Sequence, residues 1–346
     1  MRLGIIPEGF IDCIALASGK MPTPLVKSFW GVALGRTLIA GTRLGVFEVL
    51  SEGEKTAEEV AQDTGCNPEG METLLNALNG FGYLKRRNGR YSITKQTAKW
   101  LTESSSSSIR DAIMFLFELW NDFSDIERAV KSGKIKDFHF RDRPPEFWEH
   151  YIRGLATFAR YNGPEIVRKV SPIKKPRRLL DVGGGHGMYS IAFCRKYPDL
   201  QVEVLDLPGA VIQGKRIVKE QGFQDKIQFR EGDLRVTEWG DDYDIILLFN
   251  IIHNVSYKEA PEILIKAYQA LSSYGLVVLL DSEHVGDEKD LSTTSGFNEL
   301  LFFVINGCRI YPEETIRKWM IEAGFTNLKK RKLLTLPMTL FLTGYK

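Results

Sequence analysis

Five short apolar runs constrain this chain more than anything else in it: RRLLDV (177–182), QVEVLDL (201–207), KIQFREGD (226–233), YDIILLFNII (243–252) and GLVVLLDSE (275–283). Each has the length of a strand, and stretches of helical periodicity lie between them, for example Pro261 to Leu271. The last two are almost wholly apolar, as strands covered on both faces must be. LKKRKLLTLPMTLFLTGYK at the end (328–346) reads as two further strands closing the sheet. Strand and helix in alternation predict a doubly wound α/β domain, whose ligands bind at the carboxyl ends of the strands near the switch in strand order.

Polar residues collect at those ends. After Asp181 come four glycines within five positions, Gly183, Gly184, Gly185 and Gly187, and then a helix starting near Met188. Glycine suits a sharp turn or a close approach of backbone to ligand, and a helix N-terminus offers unpaired N–H groups. The dinucleotide fingerprint G-x-G-x-x-G fails in both registers, because Met188 and Ser190 fill its third glycine position. Asp206, followed by Leu207, ends the second strand, placed to accept hydrogen bonds from a ribose diol. Gly232-Asp233-Leu234 ends the third, where a carboxylate suits the amine of an adenine. Asn250 and His253 close the fourth. One adenosine-like molecule fits across all four ends.

The N-terminal third is different. KTAEEVAQDTGCNPEGMETLLNALNGFG reads as two short helices with Thr56 and Asn67 as N-caps and Pro68 in the first turn of the second. RNGR then marks a tight turn between two short β-prone runs. Helix, turn, helix and wing make a winged-helix pattern. The candidate recognition helix, Asn67 to Phe81, contains no Lys or Arg and carries Glu69 and Glu72, so packing or dimerisation is expected in place of base reading. The run ESSSSS (103–108) predicts a flexible joint. Beyond it, residues 115–161 hold eleven aromatics, and Phe147, Trp148, Tyr151, Leu155 and Phe158 recur at helical spacing, either as core or as the wall of a pocket.

Bulk properties exclude several classes. The formal charge of +2, left over from 46 basic and 44 acidic residues, gives no general attraction to nucleic acid or to anionic membrane. Cys13, Cys66, Cys194 and Cys308 form no C-x-x-C pair and predict free thiols, with no metal site. Pro7, Glu8 and Asp12 interrupt the apolar N-terminus, so a short packing arm is expected there and not a signal peptide. No apolar run is long enough to span a bilayer. A cytoplasmic location follows as the expectation.

LLDVGGGHG, VLDLPGAV, REGDL, FNIIH and YPEETIRKWMIEAGF resemble the motif series of S-adenosylmethionine-dependent O-methyltransferases, the plant small-molecule and hydroxyindole type and their bacterial relatives. The resemblance covers roughly residues 28–346. It implies a Rossmann-like class I methyltransferase domain behind a helical, winged-helix dimerisation domain, and hence a homodimer. Domains are expected at 1–25 (arm), 26–105 (dimerisation), 106–170 (helical linker and acceptor pocket) and 171–346 (cofactor binding). By this resemblance Gly183 and Gly185, beyond Asp181, cradle the methionine part of the cofactor. Asp206 with Leu207 takes the ribose, and Gly232, Asp233 and Leu234 take the adenine. Asn250 and Tyr151 also match cofactor contacts.

The family's catalytic histidine matches His253, and the acid that holds it matches Asp281. Trp148, Leu155, Phe158, Asn298 and Phe302 are expected to line the site for a small-molecule methyl acceptor. An unperturbed imidazole suits general-base work near neutrality. The other histidines, His139, His150, His186 and His284, are expected to be structural. Two departures stand out: the family's His-Asp-Trp is His253-Asn254-Val255 here, and Ile310 replaces a second acid. They leave room for an enzyme of this fold that does not methylate. A cofactor-sensing DNA-binding regulator is the third alternative.

Overall fold

The computed structural model of the protein describes residues 9–135, 138–287 and 290–346. The first eight residues of the expected arm lie outside them. The chain divides after Phe117 into two compact units.

The N-terminal unit contains α1 (Phe10–Ala17), α2 (Thr23–Arg43), α3 (Val46–Ser51), α4 (Ala57–Thr64), α5 (Pro68–Gly80), β1 (Leu84–Arg87), β2 (Arg90–Ile93), α6 (Lys95–Leu101) and the start of α7 (Arg110–Phe123). The expected caps form. Thr56 Oγ1 accepts the Glu59 N–H while the Glu59 carboxylate accepts the Thr56 N–H, a reciprocal capping box. Asn67 Oδ1 accepts the Gly70 N–H. Asn88 and Gly89, both at positive φ, turn β1 into β2. The wing is basic, and two of its three arginines are engaged: Arg86 bonds Asn76 and Glu72, and Arg90 bonds Glu59 and the Glu54 carbonyl. α1 buries none of its residues. One expectation is corrected. The serine run is a set of hydrogen-bonded turns, tied by Ser105 Oγ to the Lys99 carbonyl and by the Ile109 N–H to Trp100, with Ser108 buried.

The C-terminal unit holds α8 (Ile126–Ser132), α9 (Pro145–Lys169), β3 (Arg178–Val182), α10 (Met188–Lys196), β4 (Gln201–Asp206), α11 (Pro208–Glu220), β5 (Ile227–Glu231), β6 (Tyr243–Phe249), α12 (Glu259–Ala270), β7 (Leu271–Ser282), the short pair β8 (Gly286–Asp287) and β9 (Asp290–Leu291), α13 (Thr293–Asn306), α14 (Glu313–Glu322), β10 (Thr326–Lys330) and β11 (Thr339–Tyr345). Seven strands form one sheet in the order β10-β11-β7-β6-β3-β4-β5. β5, β4, β3, β6 and β7 run parallel, and β11 and β10 add antiparallel strands at one side. The switch point lies beside β3, which pairs with β4 on one side and β6 on the other. Every residue of β6 is buried, with one apolar cluster on each face of the sheet. β6 stops at Phe249 and not at Ile252, because Asn250 takes a left-handed φ of +58° and breaks the ladder.

α9 buries its aromatic stripe in part: Phe147 is fully buried and Trp148 and Tyr151 pack against the core. Its core face is Ile152, Ala156, Ala159, Ile166 and Val167, and Phe158 stays 50% exposed. Small residues bring the helix close to α10: a Cβ on Gly163 would stand 3.3 Å from that of Ala192.

Glu165, also on α9, holds the loop ahead of β11. Its carboxylate accepts the Leu334 N–H, the Thr335 N–H and the Thr335 hydroxyl, with Lys169 3.3 Å away. Burial alone would raise the carboxyl; the donors outweigh it and hold it at about 2. A lowered acid stabilises the fold fully above the ordinary carboxylate range and loses that contribution as pH falls towards the folded value. Glu165→Gln is therefore expected to cost on the order of 2 kcal/mol in urea unfolding at pH 7, and roughly half of that or less at pH 3.

Candidate active site

The loop after β3 is shaped by close approaches. Gly183, Gly185 and Gly187 all have positive φ. A Cβ on Gly184 would fall 2.3 Å from the Asp181 carboxyl carbon, and one on Gly183 would fall 2.4 Å from Ile251. Asp181 is fully buried. Its Oδ2 accepts the Ser190 hydroxyl at 2.6 Å, while Oδ1 has no protein partner. Burial, helped by Asp206, pushes the Asp181 carboxyl up to about 7. Asp206 accepts the N–H groups of Gly185 and Leu207, both at 2.7 Å, which ties the glycine loop to the start of α11. Burial raises this carboxyl to about 6 against those two bonds. Two neighbouring carboxyls, both raised by burial and one of them further by the other, make a place for a cation.

Around this pair stand the other strand ends. The Gly232 N–H bonds the Asp206 carbonyl, and the Leu234 carbonyl accepts from Trp239 Nε1 and Lys266. The Asp233 carboxylate is gripped by Arg235, through the backbone N–H at 2.9 Å and the guanidinium at 2.8 Å. Burial raises Asp233, and Arg235 more than reverses it. Asn250 is exposed, its N–H bonded to the Leu280 carbonyl.

His253 sits in a single 3-10 turn, Ile252–Asn254, directly after β6. Asp281, at the end of β7, receives the Ile252 N–H (2.9 Å) and the His253 N–H (3.3 Å) on one oxygen, and the Ser282 N–H and His253 Nδ1 (both 2.7 Å) on the other. Acting only as an acceptor, Asp281 assigns the hydrogen to Nδ1 and leaves the lone pair on Nε2. Phe302 of α13 stacks on the imidazole, with centroids 3.8 Å apart and planes at 18°. Asn254 does not leave its loop unsupported: its Nδ2 donates to the Asn250 carbonyl, and its Oδ1 accepts from Asn306 of α13. Ile310, where a second acid was expected to be lost, is buried.

The acceptor-side residues divide. Phe302 meets His253, and Asn298 donates to Ser282 beside Asp281. Trp148 stands at the cofactor end, because a Cβ on Gly209, in the first turn of α11, would fall 2.3 Å from its ring. Tyr151 is electrostatically coupled to Asp206, which adds to burial in raising its phenol. Leu155 and Phe158 follow farther along α9, half-buried and exposed. His150 pairs with Glu118, and His186 accepts the Met188 N–H, both structural as expected. His139 has a polar partner of its own: its Nε2 lies 2.9 Å from the Tyr151 hydroxyl. No local pattern in the sequence marks this residue.

A family model of the O-methyltransferase domain matches residues 123–326, and one of the O-methyltransferase dimerisation domain matches residues 26–104. A 3-hydroxy-5-methyl-1-naphthoate 3-O-methyltransferase of Streptomyces sahachiroi is 28% identical over 319 residues, 89% of this chain and 90% of that one. An L-tyrosine C(3)-methyltransferase of Streptomyces lavendulae is 23% identical over 326 residues, 89% and 88% of the two chains. Among solved structures, human N-acetylserotonin methyltransferase in complex with SAM aligns with a TM-score of 0.81 at 20% identity, over 94% of this chain and 97% of that one.

Proposed function

The chain belongs to the S-adenosylmethionine-dependent O-methyltransferase family, and from that premise we propose that it methylates a hydroxyl of an aromatic or bulky apolar small molecule, with His253 as general base. The observation that carries this reading is the Asp281–His253 pair at the end of β6 and β7, next to the glycine loop.

The residues fit the cofactor. Asp181, with a buried oxygen lacking any protein partner, and Asp206 are acceptors suited to a ligand that is cationic and carries a diol. Gly183 and Gly185 leave the backbone open to it, with Leu207, Gly232, Asp233, Leu234, Asn250 and Tyr151 around the nucleoside. When bound, S-adenosylmethionine supplies an electrophilic methyl on a sulfonium, open to in-line attack by an oxygen about 3 Å away. His253 Nε2 takes the proton of the acceptor hydroxyl. Asp281 fixes the tautomer and offsets the charge of the imidazolium. Phe302 holds the ring in plane, and with Asn298 and the aromatic side of α9 it bounds the acceptor.

Residues 26–104 are assigned to homodimer formation, consistent with exposed Leu25, Phe29, Trp30 and Val32 on α2. Nucleic acid is no partner in this reading, since Arg86 and Arg90 of the wing are paired within the fold and the helix Asn67 to Phe81 carries no Lys or Arg. Among the described residues no helix is long and apolar enough to cross a membrane.

Labelled S-adenosylmethionine incubated with the protein and a metabolite extract tests the proposal. A product heavier by one methyl, with a phenol lost and S-adenosylhomocysteine released, is expected. A methylated ring carbon with the phenol intact would move the reading towards the chemistry named for the lavendulae relative. A protein that binds neither form of the cofactor would end it.

A further inference from the structure

α13 supports two separate loops. Phe302 stacks on His253 and Asn306 bonds Asn254, so one turn of the helix holds the base-bearing loop. Within that turn, the Ile305 carbonyl accepts the Phe138 N–H at 3.0 Å, so the same turn holds the segment that carries His139. Phe140 in this segment lies under the Arg235 guanidinium, 4.2 Å from the ring centroid, and Arg235 grips Asp233 at the adenine end. Arg143 packs 3.8 Å from the centre of Phe147 and pairs with Asp122. Anchored at three places, the segment brings His139 Nε2 to 2.9 Å from the Tyr151 hydroxyl.

Both partners of that bond are neutral near pH 7. Burial, then the neighbouring positive charge of Arg143 and Arg235, lowers His139 to about 4. Burial and then Asp206 raise the Tyr151 phenol, so it keeps its hydrogen. One hydrogen bond therefore ties the two rings together. One side of the Tyr151 ring is stacked on Phe147, with centroids 5.7 Å apart and planes at 19°. The hydroxyl bond removes the remaining freedom of the ring to swing about χ1 and χ2.

We propose that His139 is a positioning residue of the cofactor site: by its hydrogen bond to the Tyr151 hydroxyl it fixes the electron-rich face of that ring towards the sulfonium, and α13 keeps it in register with His253. This rests on the methyl-donor reading of the cleft. A ring held in this way favours the cationic donor over the neutral thioether product.

The test is a calorimetric double-mutant cycle on binding, which needs no acceptor. S-adenosylmethionine and S-adenosylhomocysteine are titrated into the wild type, His139→Ala, Tyr151→Phe, the double variant and His139→Gln. Each of the first two variants is expected to weaken S-adenosylmethionine binding about 3- to 10-fold, and the double variant no further. His139→Gln, whose amide offers both an acceptor and a donor near the place of Nε2, recovers most of the loss. The product loses less than the donor in every variant. Additive losses, equal losses for the two ligands, or no recovery with Gln would overturn the proposal. Tyr151→Phe and His139→Gln decide the matter even where His139→Ala unfolds early. A wild type that binds neither ligand would remove the cofactor reading, and this inference with it.

Discussion

Alanine at position 253 is expected to lower turnover by about a hundredfold to ten-thousandfold, with the dissociation constant of S-adenosylhomocysteine within about twofold of the parent. The side chain removes one proton and, on the present geometry, contributes little to holding the nucleoside. Its loss does not leave Asp281 stranded. The Ile252, His253 and Ser282 N–H groups belong to the backbone and still reach the carboxylate at 2.9, 3.3 and 2.7 Å. A buried acid that keeps three donors does not unfold its surroundings. The fall in rate should thus come without a fall in thermal midpoint, and that combination separates a base from a structural histidine. A turnover within a few-fold of wild type would mean that proximity alone drives the transfer.

Gly214→Ala is expected to destabilise the protein by about 3 kcal/mol or more, although alanine is ordinarily the better helix former. The added carbon would fall 2.0 Å from the Gly185 carbonyl oxygen and 2.5 Å from Phe229. The first of these is backbone and cannot rotate aside. Either α11 or the glycine loop must move, and the loop is tied to α11 through Asp206. Cofactor binding should weaken together with stability. Gly80→Ala at the end of α5 is the control, since nothing lies within 4 Å of its added carbon and its φ is not positive. It is expected to be neutral or to stabilise by about 0.5 kcal/mol. Urea unfolding of the two variants side by side checks the pair; a Gly214→Ala protein as stable as its parent would show that α11 has room to spare.

What was legible in the sequence was what local chemistry controls. The strands from β3 to β7 announce themselves because burial on both faces leaves them almost no choice of residue. Asp181, Asp206 and His253 follow from them by position alone, each at or just past a strand end. Caps such as Thr56 and Asn67 were equally plain, since a cap is a contract between residues three apart. The failures are long-range. The aromatic spacing along α9 was read as a single face; it holds for Phe147, Trp148 and Tyr151 and fails at Phe158, where Ala156 and Ala159 take the core and Gly163 brings α10 close. The serine run was read as slack chain, and side-chain bonds to α6 hold it in turns. Asp233 is the exception, since Arg235, which engages it, stands only two residues on, in no cap or helix pattern that would mark the pair. His139 was set aside because its bond to Tyr151 depends on a carbonyl of α13 far along the chain.

The link between Asn254 and Asn306 has a consequence of its own. A carboxylate at either position would gain or lose a proton somewhere along the acid range and slacken its hold as it did so. Two primary amides have nothing to titrate. This link therefore keeps its hold from mild acid to mild alkali, so a change of activity with acidity must be sought elsewhere than in the bond between these two side chains.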